Sequence, residues 1–280
     1  HVSRRTPGLA EDYARRHSVP RWSTEAAAVI DDPEVDAVYV ATPTSSHHGY
    51  AVAAAAAGKH VLVEKPMGMS AAECDEMVAA CGEAGVRLWV AYYRRHLPRF
   101  TAVAEALREG RIGRVLATQT TWRDPAPVDR TAWRWDPAQN TGGVFYETAC
   151  HTLDVLDLLF GPLVDVAGRP SGDLRSVTAA WTHDSGIQGS GTWQYGVPDY
   201  REDTVIVGTE GTLTFSSFRP RPIRIVRGDS VTELAVDDPP HVHGPLIAAI
   251  VAELDGGPAC LSTGLSGART NRVLDTVIGR

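Results

Sequence analysis

The sequence predicts two regions of different architecture. Residues 1–97 read as an α/β region with a parallel sheet, and residues 98–280 as an α+β region with a mostly antiparallel sheet. Three observations carry this. Before residue 97, short apolar runs alternate with helical patterns, which implies parallel pairing with right-handed crossovers. After Pro98 the runs take a period of two and turn residues separate them, as in a sheet with one face covered by helices. The chain has 280 residues, 43% of them apolar, enough for two cores. The boundary is a change of architecture rather than a flexible linker, and no repeat of fixed period is visible.

The first region is justified element by element. Residues 8–16 read as a helix with Arg and Glu outward, and residues 34–41 as a buried strand. Residues 42–46 form a loop, and residues 47–57 an Ala-rich helix stopped by Gly58. Residues 60–64 are a second buried strand. Residues 70–84 are a helix with Ser70 as N-cap and Glu73 three residues on, the pattern of a capping box, ended by Gly85. Residues 87–92 are a third strand. In the second region, residues 100–109 are helical. Strands are predicted over 115–121, 175–182, 189–195, 203–207, 212–216 and 223–227. A helix over 144–160 ends at Gly161-Pro162, and helices over 246–254 and 264–278 close the chain.

Composition narrows the function. A net charge of −7 with dispersed Arg and no basic stripe argues against nucleic-acid binding. No apolar run approaches the ~20 residues of a membrane span, and no signal segment opens the chain. Cys74, Cys81, Cys150 and Cys260 include no C-x-x-C pair, so a reduced, cytoplasmic protein without a bound metal is expected. His241-x-His243 reads either as a pair of metal ligands or as part of a Pro-rich exposed loop. Of the 27 basic residues only Lys59 and Lys65 are lysine. A lysine in so Arg-rich a chain draws notice, because a lysine pKa can be moved and an arginine's hardly at all.

Three constellations carry chemistry. Val63-Glu64-Lys65-Pro66 stands at the C-terminal end of a parallel strand, where open α/β sheets place ligands, and Pro66 keeps Lys65 out of helical geometry. It reads as a reactive lysine or as a strand-end charge pair. Gly142-Gly143 leads into a helix on which Glu147 and His151 share a face, ahead of Asp154. A carboxylate beside an imidazole favours the imidazolium and suits it to proton transfer; a surface ion pair is the plainer reading. The double glycine allows backbone to approach a ligand. Ala41-Thr42-Pro43-Thr44-Ser45-Ser46-His47 opens a helix whose N-terminus suits a phosphate or ribose hydroxyl, and equally a simple N-cap.

Taken together, Ala41-Thr42-Pro43 with His47, Gly58-Lys59-His60-Val61 leading to Glu64-Lys65-Pro66, and the Gly-Gly helix with Glu147, His151 and Asp154 resemble the Gfo/Idh/MocA oxidoreductases. This is the family of glucose–fructose oxidoreductase, inositol dehydrogenases and 1,5-anhydrofructose reductase. The motifs occur in order and the resemblance runs along the whole chain. Gly208-Thr209-Glu210-Gly211-Thr212 and Pro245-Leu246-Ile247 fit the family's second sheet and the helix after it.

The resemblance implies a Rossmann dinucleotide-binding domain over 1–97 and a substrate-binding and dimerisation domain over 98–280, with the last helix packing back on the first. It implies hydride transfer between NADP or NAD and a sugar or cyclitol, and a homodimer or homotetramer. By resemblance, Lys65 contacts cofactor and substrate hydroxyl, His151 is the acid/base, and Glu147 stands where the family has Asp. Thr42, Pro43, His47 and Glu64 fall on the cofactor side. Trp133-Arg134 sits where related reductases touch NADP, and Tyr93-Arg94-Arg95 where the family has Asn or Gln before Arg-Arg near the nicotinamide. Tyr93 is a departure that bears on substrate choice. In the oxidation direction His151 removes the hydroxyl proton, Lys65 stabilises the alkoxide, and hydride passes to C4 of nicotinamide. Two alternatives keep the family: a redox-neutral NAD-dependent glycosidase, and a non-catalytic sensor of NAD(P) or sugar.

The chain opens on His1, and the strand, G-x-G-x-x-G turn and helix that begin such a domain are not in it. Residues 1–7 look like the end of a second strand. Arg4 and Arg5 stand where NAD-preferring members carry an acid, which favours a 2′-phosphate and hence NADP. The expectation is a fragment of a protein longer by about 30 residues. It would have an unpaired apolar edge on the fourth strand and weak dinucleotide binding on its own.

Overall fold

The computed structural model describes residues 1–126, 135–136 and 138–280. The first region contains β1 (Val2–Ser3), α1 (Pro7–Arg16), β2 (Trp22–Ser23), α2 (Ala27–Ile30), β3 (Ala37–Val40), α3 (His47–Ala56), β4 (His60–Val63), α4 (Ala71–Glu83) and β5 (Leu88–Val90). β3, β4 and β5 form a parallel sheet with Val40, Val63 and Val90 in register. β1 and β2 form a separate parallel pair. Among the described residues β3 has a ladder on one side only. β1 confirms a strand at the chain's start. β2 and α2 were not anticipated, because two and four residues are too short to show a period.

The α/β alternation follows from burial. β4 is apolar throughout: Val61 and Val63 enter the main core, while Leu62 joins Trp89, Ala91, Leu246, Ile250 and Cys260 in a smaller one on the opposite face. β3 is less buried than its sequence suggested; Val38 and Val40 point inward while Tyr39 is 49% exposed. The small side chains of α3 allow a close approach to the sheet, with Ala51, Ala54 and Ala55 in the core. Ser70 caps α4 as expected by accepting from the Glu73 amide, but the Glu73 carboxylate accepts from Met69 rather than from Ser70, so the reciprocal half of the box is displaced by one residue. Lys59 is half-buried, and its ammonium donates to the Asp32 carbonyl at 2.9 Å.

The second region opens with a 3₁₀ turn at Tyr93–His96 and α5 (Pro98–Arg108), then β6 (Val115–Asp124) and α6 (Gly143–Phe160). β7 (Leu163–Pro170), β8 (Ser176–His183), β9 (Gln188–Tyr195), β10 (Arg201–Gly208), β11 (Thr212–Phe215), β12 (Ile223–Arg227) and β13 (Ser230–Leu234) follow, then α7 (Gly244–Leu254) and α8 (Gly264–Ile278). The sheet order is β13-β12-β11-β10-β6-β9-β8-β7. It is antiparallel except where β6 meets β9, a parallel pair that the sequence pattern did not reveal. β7 and β13 were also missed. Both are edge strands with mostly exposed or half-buried residues, so neither shows the inward–outward alternation of a core strand.

One apolar core runs through both regions. At its centre lies α6, buried around nearly its whole circumference, as its apolar composition requires. The sheet packs Trp181, Trp193, Tyr195 and Phe215 toward it. Gly191 makes room there, since a Cβ would sit 2.4 Å from the Trp193 ring. α8 ties the regions together: Asn271 bonds Met67 N and Gly68 O, Asp275 accepts from the Ala71 amide at 2.7 Å and from the Tyr146 hydroxyl, and Arg272 pairs with Asp75. All four cysteines are buried thiols. Among the described residues no helix is long and apolar enough to cross a membrane.

Candidate active site

The end of β4 delivers Lys65, followed by a cis bond to Pro66. The Glu64 carboxylate accepts from the Lys65 amide at 3.0 Å and from the Tyr39 hydroxyl at 2.6 Å, which orients the strand end. The Lys65 ammonium reaches 2.8 Å from Glu147 Oε2, with side-chain exposures of 19% and 9%. Burial opposes the charge on Lys65. The Cys150 sulfur, once ionised, and the Glu147 and Glu64 carboxylates favour it, and the balance lies above the ordinary lysine value. Cys150 itself is pushed up to about 12 by burial, against the pull of Lys65, so it stays a neutral thiol.

α6 presents Glu147 and His151 one turn apart, as the spacing required. Its start depends on the double glycine. A Cβ at Gly142 would lie 1.6 Å from the Tyr146 ring, and Gly143 holds φ +57°. Buried Asn140 donates to the Gly143 carbonyl at 2.9 Å and to Glu147 Oε1 at 3.4 Å. The carboxylate is therefore oriented toward Lys65 rather than serving as the imidazole's counter-charge.

The electrostatics of His151 reverse the expectation. Burial lowers its pKa well below the ordinary value, and the charges of Arg94, Lys65 and His243 push the same way. The imidazolium predicted from a neighbouring carboxylate is thus replaced by a neutral ring. Arg94 Nη1 lies 2.7 Å from His151 Nδ1, and the rings of Phe218, Tyr93 and Tyr92 surround the imidazole at 5.3, 6.1 and 6.3 Å.

The remaining sequence candidates divide. Thr42 and Pro43 lie just past β3, and the Thr42 hydroxyl is buried without a partner. Arg4 and Arg5 are exposed just past β1. His47 is buried, with Nε2 2.9 Å from the Thr42 carbonyl and Nδ1 3.0 Å from that of Pro66, and so links two strand-end loops. Arg94 directs its guanidinium to His151 and the Ser217 carbonyl. Tyr93 packs on His151 and His243. Trp133 and Arg134 lie outside the described residues.

Sequence reasoning missed Phe218, Ser217, Glu202 and Asn140, which arrive from strand ends and loops with no motif around them. His243 was noticed for a different reason. It stacks edge-on against Tyr93 at 4.6 Å and lies 3.9 Å from Glu64, while His241 is exposed. Among the described residues no three His, Cys, Asp or Glu side chains gather as a metal site.

A Rossmann-type parallel sheet whose strand end carries a Lys, joined to a large mostly antiparallel sheet through a helix carrying Glu and His, defines a dinucleotide-dependent oxidoreductase architecture. Residues 1–92 match the oxidoreductase family with an NAD-binding Rossmann fold, and residues 100–214 match the GFO/IDH/MocA C-terminal domain. The chain belongs to the Gfo/Idh/MocA oxidoreductase family, as its motifs suggested. It is 31% identical over 259 residues to oxidoreductase P35 of Formosa agariphila, covering 89% of this chain and 80% of that one. It is 30% identical over 273 residues to 1,5-anhydro-D-fructose reductase of Ensifer adhaerens, covering 91% and 80%. Among solved structures, the aldose-aldose oxidoreductase of Caulobacter crescentus complexed with glycerol superposes with a TM-score of 0.85 at 26% identity, covering 99% of this chain and 87% of that one.

Proposed function

We propose that this chain transfers a hydride between a nicotinamide dinucleotide and the CH–OH or C=O carbon of a sugar or cyclitol. The observation that carries the reading is the meeting of Lys65 from a parallel strand end with Glu147 and His151 from one face of α6. The names of the relatives support a sugar-like substrate.

The residues present at the strand ends fit part of the cofactor. The orphan Thr42 hydroxyl is a buried group that needs a partner, and it stands where a parallel strand ends. Thr42, Pro43, Glu64 and Lys65 would hold the nicotinamide end, and Arg4 and Arg5 the adenosine end. Both arginines are exposed, and their guanidinium groups suit a 2′-phosphate, which favours NADP over NAD. When bound, the nicotinamide supplies or takes up the hydride. The chain's own part is to place the reacting oxygen against the Lys65 ammonium, which Glu147 orients and keeps charged, so that developing alkoxide charge meets a fixed positive one.

The test is a screen of sugars and cyclitols, and of their keto forms, against the protein as encoded, with either nicotinamide cofactor and absorbance as readout. At least one substrate should turn over, and Lys65→Ala should cut that rate by about 10²- to 10⁴-fold. No cofactor absorbance change with any substrate, or undiminished turnover in Lys65→Ala, overturns the reading. Free sugar released from a glycoside with no net change in cofactor overturns it in favour of a redox-neutral cleavage.

A further inference from the structure

We propose that Glu202 is a positioning residue of the site, acting without contact to substrate or cofactor. It clamps the turn at residues 216–219 and through that turn places Arg94 and Phe218 against His151. The consequence for turnover rests on the hydride-transfer reading; the placement does not.

Glu202 stands on β10 at an inward position, in line with buried Thr204 and Ile206, and is 2% exposed. The period of a core strand calls for an apolar side chain there. Among the described residues no cation pairs with the carboxylate, and a buried carboxylate is costly unless hydrogen bonds replace its water. They do, and they come from one turn. Oε1 accepts from the Ser217 amide at 2.6 Å, and Oε2 from the Phe218 amide at 3.4 Å and from the Ser216 hydroxyl. The Ser216 oxygen accepts in turn from the Phe218 and Arg219 amides at 3.2 and 2.7 Å. The turn's N–H groups thus gather around one anion, which fixes its shape. An apolar side chain would spare the desolvation, so stability alone does not account for the residue.

The same turn reaches the site. The Ser217 carbonyl accepts from Arg94 Nε at 2.7 Å, and the Ser217 hydroxyl accepts from that of Thr152, the residue after His151 on α6, at 3.1 Å. The Phe218 ring lies 4.4 Å from the Arg94 guanidinium and meets the His151 ring edge-on at 5.3 Å. Arg94 is 4% exposed, and no carboxylate bonds it among the described residues. The Glu202 charge favours its guanidinium from beyond the turn, against burial. One carboxylate therefore sets two of the groups that border His151. It fixes where the ring and its neighbours stand and leaves their chemistry to them.

The experiment compares Glu202→Gln with Thr204→Val. Gln keeps the size but puts a donor where the turn offers only donors. Thr204→Val, two residues along the same inward face, loses the bond to the Thr120 hydroxyl at 3.2 Å and so loosens the sheet without touching the turn. The first readout is nitrogen NMR of the chain labelled at its histidine rings, with His151 assigned from its loss in His151→Gln. Glu202→Gln is expected to move the His151 signals and to leave those of His47 and His183 in place. Thr204→Val is expected to leave all three. The second readout is turnover in the cofactor-loaded enzyme. Glu202→Gln should lower kcat by about 10- to 10²-fold with KM little changed, the scale of a misplacement by about an ångström. Thr204→Val should stay near the wild type. Combined with Arg94→Met, Glu202→Gln should cost less than the product of the two single losses, because both act through one contact.

Unmoved His151 signals in a folded Glu202→Gln overturn the proposal. So do equal shifts in Thr204→Val, losses that simply multiply in the double variant, or moved signals with undiminished kcat. If Glu202→Gln does not fold, Ser216→Ala, which removes the hydroxyl that bonds the carboxylate, decides by the same signals. Moved His151 signals in a protein that turns over no substrate support the placement and count against the hydride-transfer reading instead.

Discussion

At the end of β4 the largely buried Lys65 keeps its charge, while across the same site His151, enclosed between α6 and the 3₁₀ turn, loses its own. Burial acts on both in the same sense, against the charged form. The difference lies in the neighbour. Lys65 meets a carboxylate at 2.8 Å, and His151 meets a guanidinium at 2.7 Å. Two nitrogen groups of one site are thereby driven apart in protonation. The result is one fixed cation and one neutral ring facing the same space, as suits a reaction in which negative charge develops on an oxygen.

The most forceful way to break this contrast is Lys65→Met, which removes the cation outright. Turnover should fall by about 10³-fold or more while the melting temperature changes little, since the side chain serves the site rather than the core. A variant within tenfold of wild type would show that the ammonium is not part of the chemistry.

Glu147→Gln tests the neighbour rather than the cation. Without the carboxylate, less offsets the desolvation of Lys65, and its pKa should fall from its raised position. The alkaline limb of the pH–rate profile should move to lower pH, with turnover down by about 10²-fold. An unmoved limb would mean that Glu64 alone holds the charge.

The neutral side can be read in stability. His47, His96, His151 and His183 all have lowered pKa values in the fold, so each binds a proton more readily once unfolded. Their contribution is fully present above the unfolded value of about 6.5 and is lost as pH falls through it, by up to about 1.4 kcal/mol per histidine per pH unit. Asp154, raised by burial to about 6, acts in the opposite sense below that pH, but it is one group against four. Thermal melts from neutral to mildly acidic pH should therefore show a steady fall. A flat profile would place protonated histidines in the folded state.

The smallest effect is expected from the other lysine. Lys59→Met loses one bond to the Asp32 carbonyl, worth about 1 kcal/mol, and should leave turnover unchanged. A loss of activity there would blur the line between the two lysines.

Much of the fold was legible in the sequence. The alternation of apolar runs and helical patterns marked β3, β4, β5, α3 and α4 to within a few residues, because a buried parallel strand and an amphipathic helix leave periods of different length. α6 was legible for the same reason, along with the shared face of Glu147 and His151. β7 and β13 were not, because edge strands carry little inward–outward contrast. The parallel pairing of β6 with β9 was invisible because a register between strands far apart in the chain leaves no local mark. In the site, Lys65 stood out by its place before Pro66. Phe218 and Glu202 had no such marker, and the two backbone carbonyls that His47 meets could not be read from its motif.

The sequence by itself determined the two architectures, the strand end that carries Lys65, and the helix that carries Glu147 and His151 on one face. These depend on periods and spacings within a few residues of one another. Only the tertiary structure decided which charge meets which. Glu147 turns to Lys65, 82 residues away, and His151 to Arg94, 57 residues away. Protonation is set by burial and by charges within a few ångströms through space, and neither quantity exists until the two regions close on a common core.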